Sequence, residues 1–173
     1  MKKIALIGTH GTGKTIIAHD LVSSLKKRGK NAEYLGEIAR DAPGPINEDI
    51  DIDTQKWIIL SQMTKEIEIG RRNPEYLICD RSVIDGYCYH LWKFGRDPGL
   101  ESLVLDRLRT YSALFRVPIN EAYLMHDGVR STKKEFQKEI DTVFSKFIRE
   151  HGVGAIHYSG LQNALDIILK VES

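Results

Sequence analysis

The residue types best suited to chemistry lie together near the start of the chain. Positions 8–15 read Gly-Thr-His-Gly-Thr-Gly-Lys-Thr, a G-x-x-x-x-G-K-[ST] pattern directly after the apolar run 3–7. Glycines let a backbone bend round an anion so that successive N–H groups point at phosphates. Lys14 is placed to bridge the β- and γ-phosphates, and Thr15 to ligate Mg²⁺. The pattern predicts a nucleotide-binding loop with contacts from Gly8, His10, Gly11, Thr12, Gly13, Lys14 and Thr15.

Length and composition indicate an ordinary globular protein. The chain has 173 residues, 42% hydrophobic and 28% charged, which predicts one domain spanning 1–173. A net charge of +1 gives no reason to expect nucleic acid or an acidic membrane as a partner. Because no apolar run has the length of a signal-peptide core or a membrane span, we expect a cytoplasmic protein. Cys79 and Cys88 lack C-x-x-C spacing and are expected to be reduced and buried.

The elements that must position the loop alternate along the chain. The pattern predicts strands at 3–7, 32–35, 76–80, 122–125 and 153–158. It predicts helices after the loop and at 53–71, 82–94, 100–115, 132–147 and 161–169. This alternation predicts an α/β protein with a parallel sheet covered on both faces. Ligands of such sheets lie beyond the carboxyl ends of the strands, where Gly8, Glu37, Asp80 and the segment after Met125 converge.

Helix and strand details follow from single residues. Leu60, Met63 and Ile67 have the apolar spacing that predicts the helix at 53–71. Ser82 and Asp85 have the spacing of a capping box. Thr132 and Glu135 have the same spacing and predict the start of the helix that follows.

Two acids and their neighbouring arginines could serve phosphoryl transfer. Asp80 ends a buried strand and could hold the Mg²⁺ shell, while Arg81 could reach a phosphate. The alternative is that this pair only caps the strand end and the next helix. Glu37 could accept a proton from an acceptor hydroxyl, with Arg40 beside it; a surface ion pair is the alternative.

Two further segments are candidates for the substrate side. Asp85 and Tyr89 lie on the helix after Asp80 and could orient a substrate, although aromatic residues at helical spacing also build cores. The polar, basic segment near 126–135 predicts a lid. In that lid, Arg130 would stabilise the transferring phosphoryl group and closure would exclude water.

Four motifs of the chain together resemble those of a known protein family. The quoted motifs are Gly8 to Thr15, Glu37-x-x-Arg40, Asp80-Arg81-Ser82 with Asp85 and Tyr89, and Asp127-Gly128-Val129-Arg130. In this order they resemble the kinase-type P-loop proteins related to the nicotinamide riboside kinase domain of NadR. They are similar, more distantly, to deoxynucleoside and thymidylate kinases. Ser82 stands where a thymidylate kinase usually has an aromatic residue, which weakens that branch.

The resemblance implies a specific architecture and chemistry. It implies a three-layer P-loop fold with a five-stranded parallel sheet of order 2-3-1-4-5, and ATP with Mg²⁺ as cofactors. It implies that Glu37 faces the acceptor, that Asp80 and Arg81 serve the phosphates, and that Arg130 acts from the lid. Adenine would lie at the turn 159–162, against Gly160 and Leu161.

Three functions stay open at this point. The first is an ATP-dependent kinase acting on a small nucleoside- or nucleotide-like acceptor. The second is an ATP-binding or ATPase module that regulates a partner and has no small acceptor; the third is a scaffold that binds nucleotide without turnover. An Asn-Lys-x-Asp guanine signature and a Leu-Ser-Gly-Gly segment are both missing from the sequence, which disfavours a GTPase and an ABC-type ATPase. The oligomeric state stays open, with a homodimer as one option.

Overall fold

The sheet sets the frame of the molecule. The computed structural model describes residues 1–120, 131 and 133–170. Within them, five parallel strands form one sheet of order β2-β3-β1-β4-β5, which confirms the predicted fold. The strands are β1 (Lys2–Ile7), β2 (Ala32–Leu35), β3 (Tyr76–Asp80), β4 (Ala113–Arg116) and β5 (Ala155–His157).

Helices cover both faces of the sheet. They are α1 (Lys14–Lys27), α2 (Ile52–Gly70), α3 (Val83–Phe94), α4 (Pro98–Leu108), α5 (Lys134–Glu150) and α6 (Leu161–Lys170). Alternate residues of β1 point to opposite sides, so Ile4 and Leu6 pack with α1 and α6 whereas Ala5 and Ile7 pack with the remaining helices. None of the helices in the described ranges combines the length and the apolar character that a membrane crossing requires.

The fourth strand differs from the sequence prediction. The helix predicted at 100–115 ends at Leu108, and the strand beside β1 is Ala113–Arg116 rather than 122–125. Residues 113–115 are all buried, because this short strand lies inside the sheet, and so short an apolar run has the same pattern as a helix segment. Residues 122–125 lie outside the described part of the chain.

The helix predicted at 53–71 is α2, but the residues that marked it in sequence do not define its buried face. Met63 is buried, but Leu60 and Ile67 are 50% and 49% exposed. The buried face combines apolar side chains with polar ones, among them Gln62 and Glu66, which form a hydrogen bond with each other. Apolar spacing identifies this helix but not its buried face, because a polar residue with buried partners does not look like a core residue in sequence.

Two local predictions concern helix starts. Ser82 and Asp85 form the capping box of α3, as predicted. Helix α5 begins at Lys134 with Lys133 as its N-cap and without a side-chain cap bond, so Glu135 does not close a box there; Thr132 lies outside the described residues. Both cysteines are free and buried, as expected.

Candidate active site

The phosphate loop joins β1 to α1 in a backbone form that only its glycines tolerate without strain. Gly13, the N-cap of α1, has φ 83°, in the left-handed region. At Gly8, with φ 135°, a Cβ would lie 3.0 Å from the carbonyl oxygen of Val117. A side chain at Gly8 would therefore press against the chain at Val117, and one at Gly13 would be held in a strained backbone conformation.

Lys14 folds its side chain back over this loop. Its Nζ donates to the carbonyl oxygens of Gly8 at 2.9 Å and Thr9 at 2.5 Å, and to the Thr12 hydroxyl at 3.1 Å. Burial, followed by the nearby Arg81 cation, lowers the pKa of Lys14 to about 7. The amine therefore lies buried at the centre of the loop, where a bound anion would favour its protonated, charged form.

Thr15 and Asp80 lie together at the start of α1 and the end of β3. The Thr15 hydroxyl donates to Asp80 Oδ2 at 2.5 Å. The other carboxylate oxygen, Asp80 Oδ1, is buried and has no hydrogen-bond partner among the described residues. A buried carboxylate oxygen beside a threonine hydroxyl is the donor set that Mg²⁺ takes at a P-loop, so these residues fit the predicted metal site.

Arg81 is held by contacts from several elements. It has φ 84°, which is rare for a residue with a side chain, and its Nε donates to Glu37 Oε1 at 2.6 Å. Its Nη1 lies 3.4 Å from the Gly8 carbonyl oxygen and 3.7 Å from Asp85 Oδ1. Burial opposes the charge of Arg81, but Glu37 and the other acidic groups around it together outweigh burial and raise the guanidinium pKa. Arg81 and Glu37 therefore form an almost buried ion pair at the carboxyl edge of the sheet.

Glu37 is also in contact with Arg40. Arg40 Nε lies 3.2 Å from Glu37 Oε2, and the Arg40 side chain is the more exposed partner. The ion pair considered as the alternative for these two residues is therefore present, but the contact with Arg81 places Glu37 in the interior of the site.

Asp85 holds the phosphate loop through hydrogen bonds to backbone N–H groups. Its Oδ1 accepts the backbone N–H of Gly8 at 3.0 Å, and its Oδ2 accepts the N–H of Ser82 at 2.8 Å. Burial raises the pKa of Asp85. Asp85 therefore links α3 to the phosphate loop. The sequence predicted a substrate contact for this residue but not this structural role.

Tyr89 and Gln137 hold the tip of the loop. The Tyr89 hydroxyl lies 2.9 Å from His10 Nδ1 and accepts the His10 backbone N–H at 3.2 Å. Gln137 on α5 donates from Nε2 to the His10 backbone carbonyl oxygen at 2.7 Å, and the Gln137 backbone carbonyl oxygen accepts from the Thr9 hydroxyl at 3.1 Å. Sequence reasoning missed Gln137, whose only signal was a polar residue on an otherwise apolar helix face.

A pocket opens next to the loop and contains most of the substrate candidates. Its polar wall includes Glu37, Arg81, Asp85 and Tyr89, and its other wall comes from α2 and the segment 46–50. The lining residues are His10, Glu37, Ala39, Arg40, Ile46, Asn47, Ile50, Gln55, Ile58, Arg81, Asp85, Gly86 and Tyr89. His10 belongs both to the phosphate loop and to this pocket, so the two sites are adjacent.

The remaining predicted site residues lie outside this pocket or outside the described part of the chain. Gly160, with φ 132°, and Leu161 follow β5 at the same carboxyl edge as the loop, but neither lines the pocket. Arg130 lies outside the described residues. From the lid segment, Ser131 Oγ donates to Glu48 Oε1 at 2.9 Å and Lys133 Nζ lies 3.2 Å from the same oxygen. The described part of this segment therefore contacts the chain that forms the pocket's outer wall.

The chain is similar in sequence to one known domain family. A family model described as an AAA domain matches residues 3–161. The chain belongs to this AAA-domain family. A comparison with curated proteins by sequence found no match.

Solved structures give the fold. Deoxyadenosine kinase from M. mycoides with bound dATP is similar at TM-score 0.64 and 15% identity, over 98% of this chain and 97% of that chain. The NadR protein in complex with NR is similar at TM-score 0.73 and 18% identity, over 98% of this chain and 51% of that chain. This AAA-domain chain thus spans about half the length of NadR. The predicted resemblance to P-loop kinase-like proteins is confirmed at the level of family and fold.

Proposed function

We propose that the protein is a single-domain, ATP-dependent kinase that transfers the γ-phosphoryl group to a nucleoside- or nucleotide-like acceptor. The observation that carries this is the pocket beside the phosphate loop, lined by Glu37, Arg81 and Tyr89 and sharing His10 with the loop. An ATPase without an organic acceptor needs only a water molecule beside the phosphate loop. A walled pocket that combines these polar groups with apolar side chains such as Ile50 and Ile58 suits an organic acceptor with a hydroxyl.

Each group of residues has a proposed role that follows from its position in the site. The loop N–H groups and Lys14 bind the phosphates, and Gly160 and Leu161 are proposed to contact adenine. Thr15 and Asp80 would hold Mg²⁺, which supplies charge neutralisation between the phosphates when bound. Glu37 positions the acceptor hydroxyl and takes up its proton, and Arg81 holds Glu37 and faces the phosphates. Arg40, Asp85 and Tyr89 are proposed to shape the acceptor side of the pocket.

Similar structures support this choice of reaction. Deoxyadenosine kinase carries that activity in its name, and the NadR structure contains NR. Both share the fold of this chain over nearly its full length. Because identity is 15–18%, they indicate a class of acceptor rather than one compound.

The first experiment measures ADP production with a panel of nucleosides, nucleotides and NR. We expect at least one compound to raise the rate above that with water alone. A rate that stays flat across the panel, together with ATP hydrolysis that a protein partner changes, would instead identify the regulatory ATPase.

The second experiment tests the acceptor side of the site. Glu37→Gln keeps the size of the side chain but removes the proton-accepting carboxylate, so we expect kcat to fall about 10²-fold while ATP binding stays close to that of the unmodified protein. Glu33→Gln, a carboxylate on β2 that does not line the pocket, is the matched control and should leave kcat unchanged. Equal rates for both variants would contradict the role of Glu37.

The lid is tested in the same assay. Arg130→Ala should lower kcat by about 10³-fold with little change in ATP affinity, since the charge it supplies acts on the transferring group. Turnover equal to that of the unmodified protein would remove Arg130 from the site.

A further inference from the structure

The outer face of α2 is an apolar stripe. Trp57, Leu60 and Ile67 are 37%, 50% and 49% exposed, and Thr64 lies between them. Thr64 donates its hydroxyl to the Leu60 carbonyl oxygen at 3.0 Å, so its polar group is already used within the helix. The stripe positions 57, 60, 64 and 67 have the alternating spacing of three and four residues that a helix presents to a partner helix.

Opposite charges stand at the two ends of this stripe. Asp53 lies one turn before Trp57 and Arg71 one turn after Ile67, both exposed and on the line of the stripe. The described structure shows neither an ion pair nor a side-chain hydrogen bond at either of these two residues. The helix has 19 residues and is about 28 Å long, so the two charges are separated by nearly its whole length.

We propose that α2 packs antiparallel against α2 of a second copy of this chain, around a two-fold axis near residue 62. In this register Trp57 meets Ile67 of the partner subunit, and Leu60 meets Thr64 of the partner subunit. Asp53 then lies opposite Arg71 of the partner subunit, and the two-fold axis repeats each contact. The second copy is the occupant that this face fits, because one helix supplies both the apolar centre and the complementary ends.

Charge also selects the direction of packing. A parallel pair would place the two Asp53 carboxylates together and the two Arg71 guanidinium groups together, and both contacts are repulsive. The antiparallel pair replaces these with two attractive contacts and opposes the helix dipoles. The inner face of the same helix contributes Gln55 and Ile58 to the acceptor pocket, so the dimer would support the pocket wall from behind.

The apolar centre is tested by sedimentation velocity over a series of protein concentrations. We expect a reversible dimer for the unmodified protein and a monomer for Leu60→Lys. The control is Leu169→Lys, the same substitution at an exposed leucine on α6, outside the stripe. This variant should dimerise like the unmodified protein. Far-UV circular dichroism and ADP production check that each variant is folded. A monomer at every concentration, or a dimer that Leu60→Lys leaves intact, would overturn the interface.

The register is tested by exchanging the terminal charges. Asp53→Arg and Arg71→Asp should each raise the dissociation constant of the dimer roughly tenfold, because each creates two like-charge contacts. The double variant should recover the original value, and so should an equimolar mixture of the two single variants, in which both end contacts become attractive again. Helix stability cannot explain such a recovery, since the double variant keeps the unfavourable charge at both helix ends. Failure to recover in both arms would overturn the antiparallel register.

Discussion

The Lys14 amine is surrounded by oxygen atoms of the phosphate loop, and this buried position determines its pKa. Because the Lys14 side chain is only 4% exposed, burial is the main reason that its pKa falls to about 7. Near neutral pH the amine is therefore close to half charged. A bound triphosphate would favour the charged form and raise the same pKa, so nucleotide binding and protonation are linked.

This linkage predicts the pH dependence of binding. Above pH 7 the free protein has lost the Lys14 proton while the nucleotide complex keeps it, so binding takes up about one proton and affinity falls about tenfold per pH unit. Calorimetric titration of Mg²⁺-ATP in two buffers with different ionisation heats measures this uptake. Lys14→Arg is the control, since arginine stays charged and should bind without the extra proton. Zero proton uptake by the unmodified protein at pH 8 would contradict the lowered pKa.

At the scale of elements, the contact between α2 and α3 depends on Gly86. A Cβ at this position would lie 2.6 Å from Ile59 Cγ1, and Gln55 Nε2 donates to the Gly86 carbonyl oxygen at 2.8 Å. The close approach of these two helices brings Gln55 and Asp85 to the same pocket. Gly86 is therefore a packing residue at the wall of the candidate site.

A larger residue should separate the two helices. Gly86→Ala should lower the free energy of unfolding by about 1–3 kcal/mol through overpacking, measured by urea denaturation. Ile59→Ala in the same chain should remove part of that loss, giving a coupling between the two sites in a double-mutant cycle. Gly154→Ala is the control, since a Cβ there meets nothing within 4 Å. A loss that Ile59→Ala leaves unchanged would refute the contact as its cause.

At the scale of the whole molecule, a buried ionic cluster connects distant parts of the chain. Glu66 on α2 lies 2.6 Å from Lys3 Nζ on β1 and 3.1 Å from Arg107 on α4. It also accepts from Gln62 Nε2 at 3.0 Å and from the Tyr111 hydroxyl. Burial, opposed by Glu66, lowers the pKa of Lys3. The cluster fixes α2 and α4 on the sheet at the end away from the phosphate loop.

Removing its one carboxylate should be costly. Glu66→Gln leaves the Lys3 cation buried without a counter-charge, so we expect the free energy of unfolding to fall by about 3–5 kcal/mol in urea denaturation. Adding Lys3→Met removes that cation and should recover part of the loss. Glu68→Gln breaks only the exposed pair with Lys65 and should cost under about 1 kcal/mol. Equal losses for the two glutamine variants would show that the cluster does not stabilise the fold.

The amino-acid sequence by itself determined the phosphate loop, the acid at the end of β3 and the alternation of strands and helices. Each of these is written in adjacent residues: glycines that set a turn, an apolar run, or a lysine and threonine that follow them at fixed spacing. Only the tertiary structure decided that Ala113–Arg116 is the fourth strand and that Leu60 faces outward. It also decided that Asp85 and Gln137 hold the loop. These depend on partners far away in sequence, because a buried polar group is stable only where the fold supplies its hydrogen bonds.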